Sequence, residues 1–277
     1  MFGFLVSKCA SNLNHGDNLS IRVRRRLLVC EKLPQRPRSS ELGWQRSAAR
    51  ARGPPLRRLA ATAGTPSHCK RVAVLVSGTG RSLENLLQQV KSGALERTQI
   101  VVVVASRTDC LAVERAAQWQ VPTAVVVARA YADSDAFSDA ISVVLDSYQV
   151  DLVVMAGFMH FYRIPTRYLN RVLNIHPALV PAFCGRGFYG DRVHQAVLDF
   201  GAKITGVTVH FADNEYDHGP IVLQRAVPVL DDDTVATLGA RVFAEECRLL
   251  PEAIDLFCRD ALVLDGRRVR IRHRQPV

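Results

Sequence analysis

From Arg71 onward, short apolar runs alternate with stretches whose apolar residues recur every three or four positions. RVAVLVSG (71–78) is a Val-rich run of strand length, and RSLENLLQQVKSG (81–93) follows with Leu83, Leu86, Leu87 and Val90 at helical spacing. The same alternation gives strands at IVVVVASR (100–107), TAVVVA (123–128), DLVVMAGF (151–158) and VLNIH (172–176). Helices are expected near 110–119 and 135–148. Near-continuous apolar strands joined by amphipathic helices predict a mostly parallel sheet covered on both faces, an α/β architecture. KITGVTVHFAD (203–213) and PIVLQRAVPV (220–229) alternate apolar and polar positions instead and read as antiparallel C-terminal strands. A last helix is expected over 234–257, interrupted at Pro251. One domain, residues 71–262, accounts for the pattern, with 263–277 left as a basic C-terminal tail.

Charge separates the rest of the chain from this domain. Of the 277 residues, the first 70 hold 14 Lys or Arg against Asp17, Glu31 and Glu41, whereas the remainder carries 22 basic and 23 acidic side chains. The net charge of +10 therefore sits in the extension, and the near-neutral domain asks for no nucleic-acid partner. Residues 1–70 are rich in Arg, Pro, Ser and Ala without sustained periodicity, and are expected to be a disordered extension. Three readings stay open for them: an organelle transit segment, a solvated tail that touches RNA, or translated upstream sequence. The expected compartment is the cytoplasm, or an organelle on the first reading. The seven cysteines are scattered with neither CxxC nor zinc-type Cys/His spacing, so neither a disulfide framework nor a metal centre is suggested. No apolar run reaches the roughly 20 residues of a membrane helix.

Two features carry candidate chemistry. SGTGRSLEN (77–85) stands where the first strand turns into a helix, but Leu83 replaces the third glycine of a dinucleotide fingerprint and no acidic residue closes the second strand. That disfavours a nicotinamide cofactor. The loop can instead hold one phosphate on its backbone N–H groups, the Ser82 hydroxyl and the Arg81 charge; a plain tight turn is the alternative. In VLNIHP, Asn174 and His176 lie two apart on a strand and share a face at its end. Asp217, in the loop EYDHGP, can reach a neighbouring strand and hold the imidazole protonated. Amide and imidazolium would together stabilise an oxyanion, which equips the site for acyl transfer without a nucleophilic Ser or Cys. His194, His210 and His218 fit structural roles.

Taken together, SGxGxxL, AGFM (156–159), LNIHPALVPAF (173–183), GVTVHF (206–211) and EYDHGPIVLQ (215–224) make residues 71–262 resemble the phosphoribosylglycinamide formyltransferases, folate-dependent enzymes of purine synthesis. The resemblance implies the Rossmann-like formyltransferase fold and a transfer of the formyl group of 10-formyltetrahydrofolate, a co-substrate, to the amine of glycinamide ribonucleotide, without a metal. It implies Asn174, His176 and Asp217 as catalytic residues. It implies ribotide contacts from Gly80, Arg81, Ser82, Pro177 and Glu246, and a folate pocket at Met159, His160, Phe161, Tyr162 and Asn174, with 212–217 as its other wall. The protein is expected to work on small molecules off the membrane, as a monomer or homodimer.

The sequence departs from the family pattern at four places. Phe243 stands where a polar or basic phosphate ligand is usual, and we read Arg81 as its replacement. His160 stands where Arg is common, and Ser82 where a relative carries Asn. Segment 184–197 is longer and richer in Gly and aromatics. The alternatives are a formyltetrahydrofolate deformylase, for which NIHH is more typical than NIHP, a formyltransferase on another amine, and a non-catalytic nucleotide-binding module.

Overall fold

The computed structural model describes the backbone of residues 19–24 and 27–32 and all of residues 69–272. Strands β1 (Leu19–Arg24) and β2 (Leu27–Lys32) form a hairpin. The domain proper begins with β3 (Lys70–Val76), followed by α1 (Arg81–Lys91), β4 (Thr98–Ala105), α2 (Leu111–Gln118), β5 (Thr123–Val125), α3 (Ser134–Ser147), β6 (Leu152–Met155) and β7 (Val172–His176). It continues through α4 (Asp191–Phe200), β8 (Ile204–Phe211), β9 (Ile221–Pro228) and α5 (Val235–Cys258), and ends in the hairpin β10 (Leu262–Asp265) and β11 (Arg268–Ile271).

The main sheet runs β1-β2-β5-β4-β3-β6-β7-β8-β9. Strands β5, β4, β3, β6 and β7 are parallel, and β8 and β9 add antiparallel partners, as the change of hydrophobic period predicts. In β3, Val72, Val74 and Val76 face α1, α2 and α5, while Ala73 and Leu75 face α3. Helices thus cover both faces. Chain order reverses direction at β3, so the loops after β3, β6 and β7 share the carboxyl edge where open α/β sheets hold ligands.

Four differences from the sequence reading have local causes. The expected interruption at Pro251 does not occur, and α5 runs through it. A helical proline leaves the carbonyl four residues earlier without its donor, and here Asn85 Nδ2 donates to the Cys247 carbonyl at 2.8 Å in its place. The expected tail from 263 instead folds through Ile271, because Gly266-Arg267 forms a two-residue turn between the paired Asp265 and Arg268, with φ +57° at the glycine. The hairpin β1/β2 lies in the stretch expected to be disordered: LSIRVR alternates at period two, a local signal outweighed by the Arg-rich composition. The rest of the expectation for 1–70 falls outside the described residues. Helix α4 occupies the glycine-rich insert, to which no element was assigned.

Candidate active site

Asn174 and His176 project from the C-terminal end of β7, with Asn174 next to Met155 of β6 on one side and the pair opposite His210 and Thr208 of β8 on the other. Asn174 Nδ2 lies 3.1 Å from Asp217 Oδ1 and 3.0 Å from His210 Nε2. His210 Nδ1 is 2.9 Å from the Phe211 carbonyl and donates to it, which leaves Nε2 as an acceptor for the Asn174 amide. Both amide hydrogens of Asn174 are therefore engaged. His176 Nε2 donates to the Phe183 carbonyl at 2.9 Å, and Nδ1 faces Asp217 Oδ2 at 3.6 Å. Asp217, at φ +51°, also accepts from the Gly185 N–H at 2.9 Å. Gly219 lets its loop press on β8, since a Cβ there would lie 1.8 Å from the Phe211 carbonyl oxygen.

Electrostatics corrects one expectation. Burial drives the His176 pKa below its ordinary value, and the Asp217 charge only partly opposes this. Burial thus favours the neutral imidazole, where the motif alone suggests a charged one. Burial raises the Asp217 carboxyl, but its polar neighbours, the Gly185 N–H among them, hold it below the usual range.

These residues form the floor of a cleft of about 430 Å³. Met159, His160 and Phe161 line one wall, and Ala212, Asp213 and Tyr216 the other. The Phe161 and Tyr216 rings meet with centroids 5.2 Å apart. Tyr162 belongs to the same wall, but its ring is buried and its hydroxyl bonds Ser142 Oγ at 3.0 Å, with a pKa pushed up to about 12 by burial. The Met159 N–H donates to Ser77 Oγ at 2.9 Å, which ties this wall to the end of β3. Pro177 also lines the cleft.

Gly80, Arg81, Ser82 and Glu246 form a second group outside that cleft. Gly80 caps α1 at φ 73°, and a Cβ there would sit 2.7 Å from Ala112 Cβ, so the residue must be glycine. Helix α2 fixes the loop further: Arg115 Nε donates to the Thr79 carbonyl at 2.9 Å. The Arg81 guanidinium lies 4.2 Å over the Phe243 ring. Burial pushes the Glu246 carboxyl up to about 7 against the opposing charge of Arg81.

The structure thus gathers the three residues expected to be catalytic and, separately, the loop and α5 residues expected at a ribotide. Sequence reasoning missed Gly185 and the Phe183 carbonyl, and left His210 among structural histidines. A signal for His210 existed in Thr208 and His210, two apart in β8, but it needs the β7–β8 register to be read.

An α/β sheet with an Asn–His–Asp cluster at its carboxyl edge, His176 buried within it, is the class of protein the fold and the cleft define. A family model described as Formyl transferase matches residues 70–254, and the chain belongs to that family. It is 39% identical to the phosphoribosylglycinamide formyltransferase of Mycobacterium tuberculosis over 73% of this chain and 91% of that one. It is 37% identical to the chloroplastic phosphoribosylglycinamide formyltransferase of Arabidopsis thaliana over 70% of this chain and 67% of the relative. Against the trifunctional purine biosynthetic protein adenosine-3 of Bos taurus the identity is 38%, but the chain spans only 19% of that protein. The crystal structure of glycinamide ribonucleotide transformylase 1 from Symbiobacterium toebii superposes with a TM-score of 0.69 at 43% identity, over 74% of this chain and 94% of that one. The resemblance read from the motifs, the formyltransferase class and the fold all hold.

Proposed function

We propose that the chain transfers the formyl group of 10-formyltetrahydrofolate to the amine of glycinamide ribonucleotide, a step of purine synthesis. The observation that carries this reading is the Asn174–Asp217–His176 cluster on the floor of the cleft. The folate lies between the Met159–Tyr162 wall and the 212–217 wall, and the ribotide phosphate rests on the amides of α1 beside Arg81 and Ser82, with its ribose on Glu246 and Pro177 below the reacting amine. The amine nitrogen attacks the formyl carbon, the new C–N bond forms, and the carbonyl oxygen becomes an oxyanion.

Asn174 stabilises that oxygen by turning one amide hydrogen to it. The bond given up is the one to His210 Nε2, since the bond to the Asp217 carboxylate is charge-assisted and stronger. Neutral His176 takes the amine proton at Nδ1, and the imidazolium forms beside Asp217, whose carboxylate stays ionised. The proton passes to folate N10 as the C–N10 bond breaks, giving tetrahydrofolate and the formylated ribotide.

The compartment follows the extension: the cytoplasm, or an organelle if residues 1–70 act as a transit segment, an option supported by the chloroplastic name of the Arabidopsis relative. The test is folate release by the full chain with and without ribotide, beside Asn174→Ala. Removing one oxyanion donor should lower kcat by roughly 10²–10³-fold. A variant within threefold of the parent would overturn the assignment.

A further inference from the structure

The two Val-rich strands at the centre of the sheet each run into a serine, β3 into Ser77 and β4 into Ser106. The Ser106 N–H donates to the Val76 carbonyl at 3.0 Å, which continues the parallel pairing and brings the serines side by side. Both are buried, and Ser106 Oγ donates to Ser77 Oγ at 2.7 Å. A buried hydroxyl is costly unless bonded, so a pair of them at the end of an apolar sheet points to a group that needs them. That group is the segment 157–159 after β6. The Ser77 N–H donates to the Gly157 carbonyl at 3.0 Å, and Ser77 Oγ accepts from the Met159 N–H at 2.9 Å. One residue thus grips this segment with both its backbone and its side chain.

Ser77 also opens the glycine loop. The next residue, Gly78, is tied to α2 by the Ala112 N–H, which donates to its carbonyl at 3.3 Å, and Gly80 caps α1 two residues further on. On the proposed function this loop meets the ribotide phosphate, while Gly157, Phe158 and Met159 line the folate side of the cleft. Transfer needs the two substrates held at a fixed separation, so the link between their sites bears on the reaction itself. We infer that Ser77 is a positioning residue: its hydroxyl sets the folate wall against the ribotide loop through the Met159 amide. The inference rests on the proposed two-substrate reading and assigns a role to a residue outside both sites. Ser106 occupies the other side of the same oxygen, so the two serines can be separated by substitution.

The test is calorimetric titration of the full chain with tetrahydrofolate and, separately, with ribose 5-phosphate. Ser77→Ala removes the bond to the Met159 amide, whereas Ser106→Ala removes a hydroxyl from the same buried pair and keeps that bond. The expected result for Ser77→Ala is tetrahydrofolate affinity about threefold to tenfold weaker, the loss of one neutral hydrogen bond, with ribose 5-phosphate affinity within twofold of the parent. Ser106→Ala should keep both affinities within twofold. A merely structural loss would weaken both ligands alike, or follow either serine. In the parent protein the Met159 amide should exchange slowly with deuterated solvent, a readout that needs no variant to fold. Tetrahydrofolate affinity within twofold in Ser77→Ala, equal losses for the two ligands, the same folate loss in Ser106→Ala, or an unprotected Met159 amide each overturn the inference and leave the two substrate sites standing. No tetrahydrofolate binding by the parent overturns the folate reading with it.

Discussion

The guanidinium carbon of Arg81 sits 4.2 Å above the centre of the Phe243 ring, so the first residue of α1 is held against the middle of α5 by a cation–π contact. The stack keeps the charge at the mouth of the glycine loop, where the first amides of α1 also point. On the proposed function, Phe243, standing where a polar or basic phosphate ligand is expected, is the support of Arg81 as its replacement. Arg81→Ala should raise the ribotide KM selectively, and Phe243→Ala should raise it about threefold to tenfold, the equivalent of roughly 1 kcal/mol. Steady-state kinetics with each substrate varied would check this. A ribotide KM for Arg81→Ala within twofold of the parent would sink it.

In the proposed mechanism His176 accepts a proton, so protonating the resting protein should switch it off. Burial lowers its pKa below the ordinary 6.5, and the acid limb of the rate profile should therefore fall below pH 6.5. Asp217→Asn removes the charge that raises the His176 pKa, so the limb should move further toward acid while kcat drops. A limb that moves toward higher pH in Asp217→Asn would show that the carboxylate does not act on His176.

Much of this site is legible in the sequence, for reasons specific to strands. VLNIH is β7 to the residue, and period two alone puts Asn174 and His176 on one face. The proline after His176 marks where the strand stops, hence the edge. What is not legible depends on partners chosen in three dimensions. Whether Asp217 reaches Asn174 depends on a left-handed residue in a loop, and His210 enters the cluster only through the Asn174↔His210 register. The direction of the His176 pKa shift is not legible either, because proximity to a carboxylate is visible in a motif, whereas burial is not. Pro251 misled for a similar reason, since the amide that repairs its helix comes from Asn85, 162 positions from the carbonyl it serves.

That repair predicts a coupled pair. Asn85→Ala leaves the Cys247 carbonyl without a donor and should destabilise the fold by about 1–3 kcal/mol. In a Pro251→Ala background the restored backbone N–H can serve the same carbonyl, so the loss from Asn85→Ala should shrink by at least half. Denaturant unfolding of the four proteins in this cycle measures the coupling. Equal losses in both backgrounds would mean that Asn85 does not compensate for the proline.

Glu246 makes a prediction with the opposite pH sign from a salt-bridged carboxylate. Its folded pKa is raised to about 7 from 4.5, so folding favours the protonated form. The stability this allows is present below pH 4.5 and is lost as pH rises through 7. Glu246→Gln should therefore raise the melting temperature at pH 8, with a smaller effect at pH 5, while weakening ribotide binding. Thermal melts at the two pH values decide it: a variant less stable than the parent at pH 8 would mean that the carboxylate is stabilised rather than strained.

The central claim is that the formyl carbon goes to an amine on a ribotide held beside Arg81 and Glu246. The most direct measurement follows that carbon. Full-length protein is given 10-[¹³C]formyltetrahydrofolate with glycinamide ribonucleotide, and the labelled products are identified by NMR. The account predicts label in the formylated ribotide, at a rate that depends on ribotide and disappears in His176→Ala. Label appearing as formate at the same rate with or without ribotide would contradict it and make the chain a hydrolase of formyl-folate.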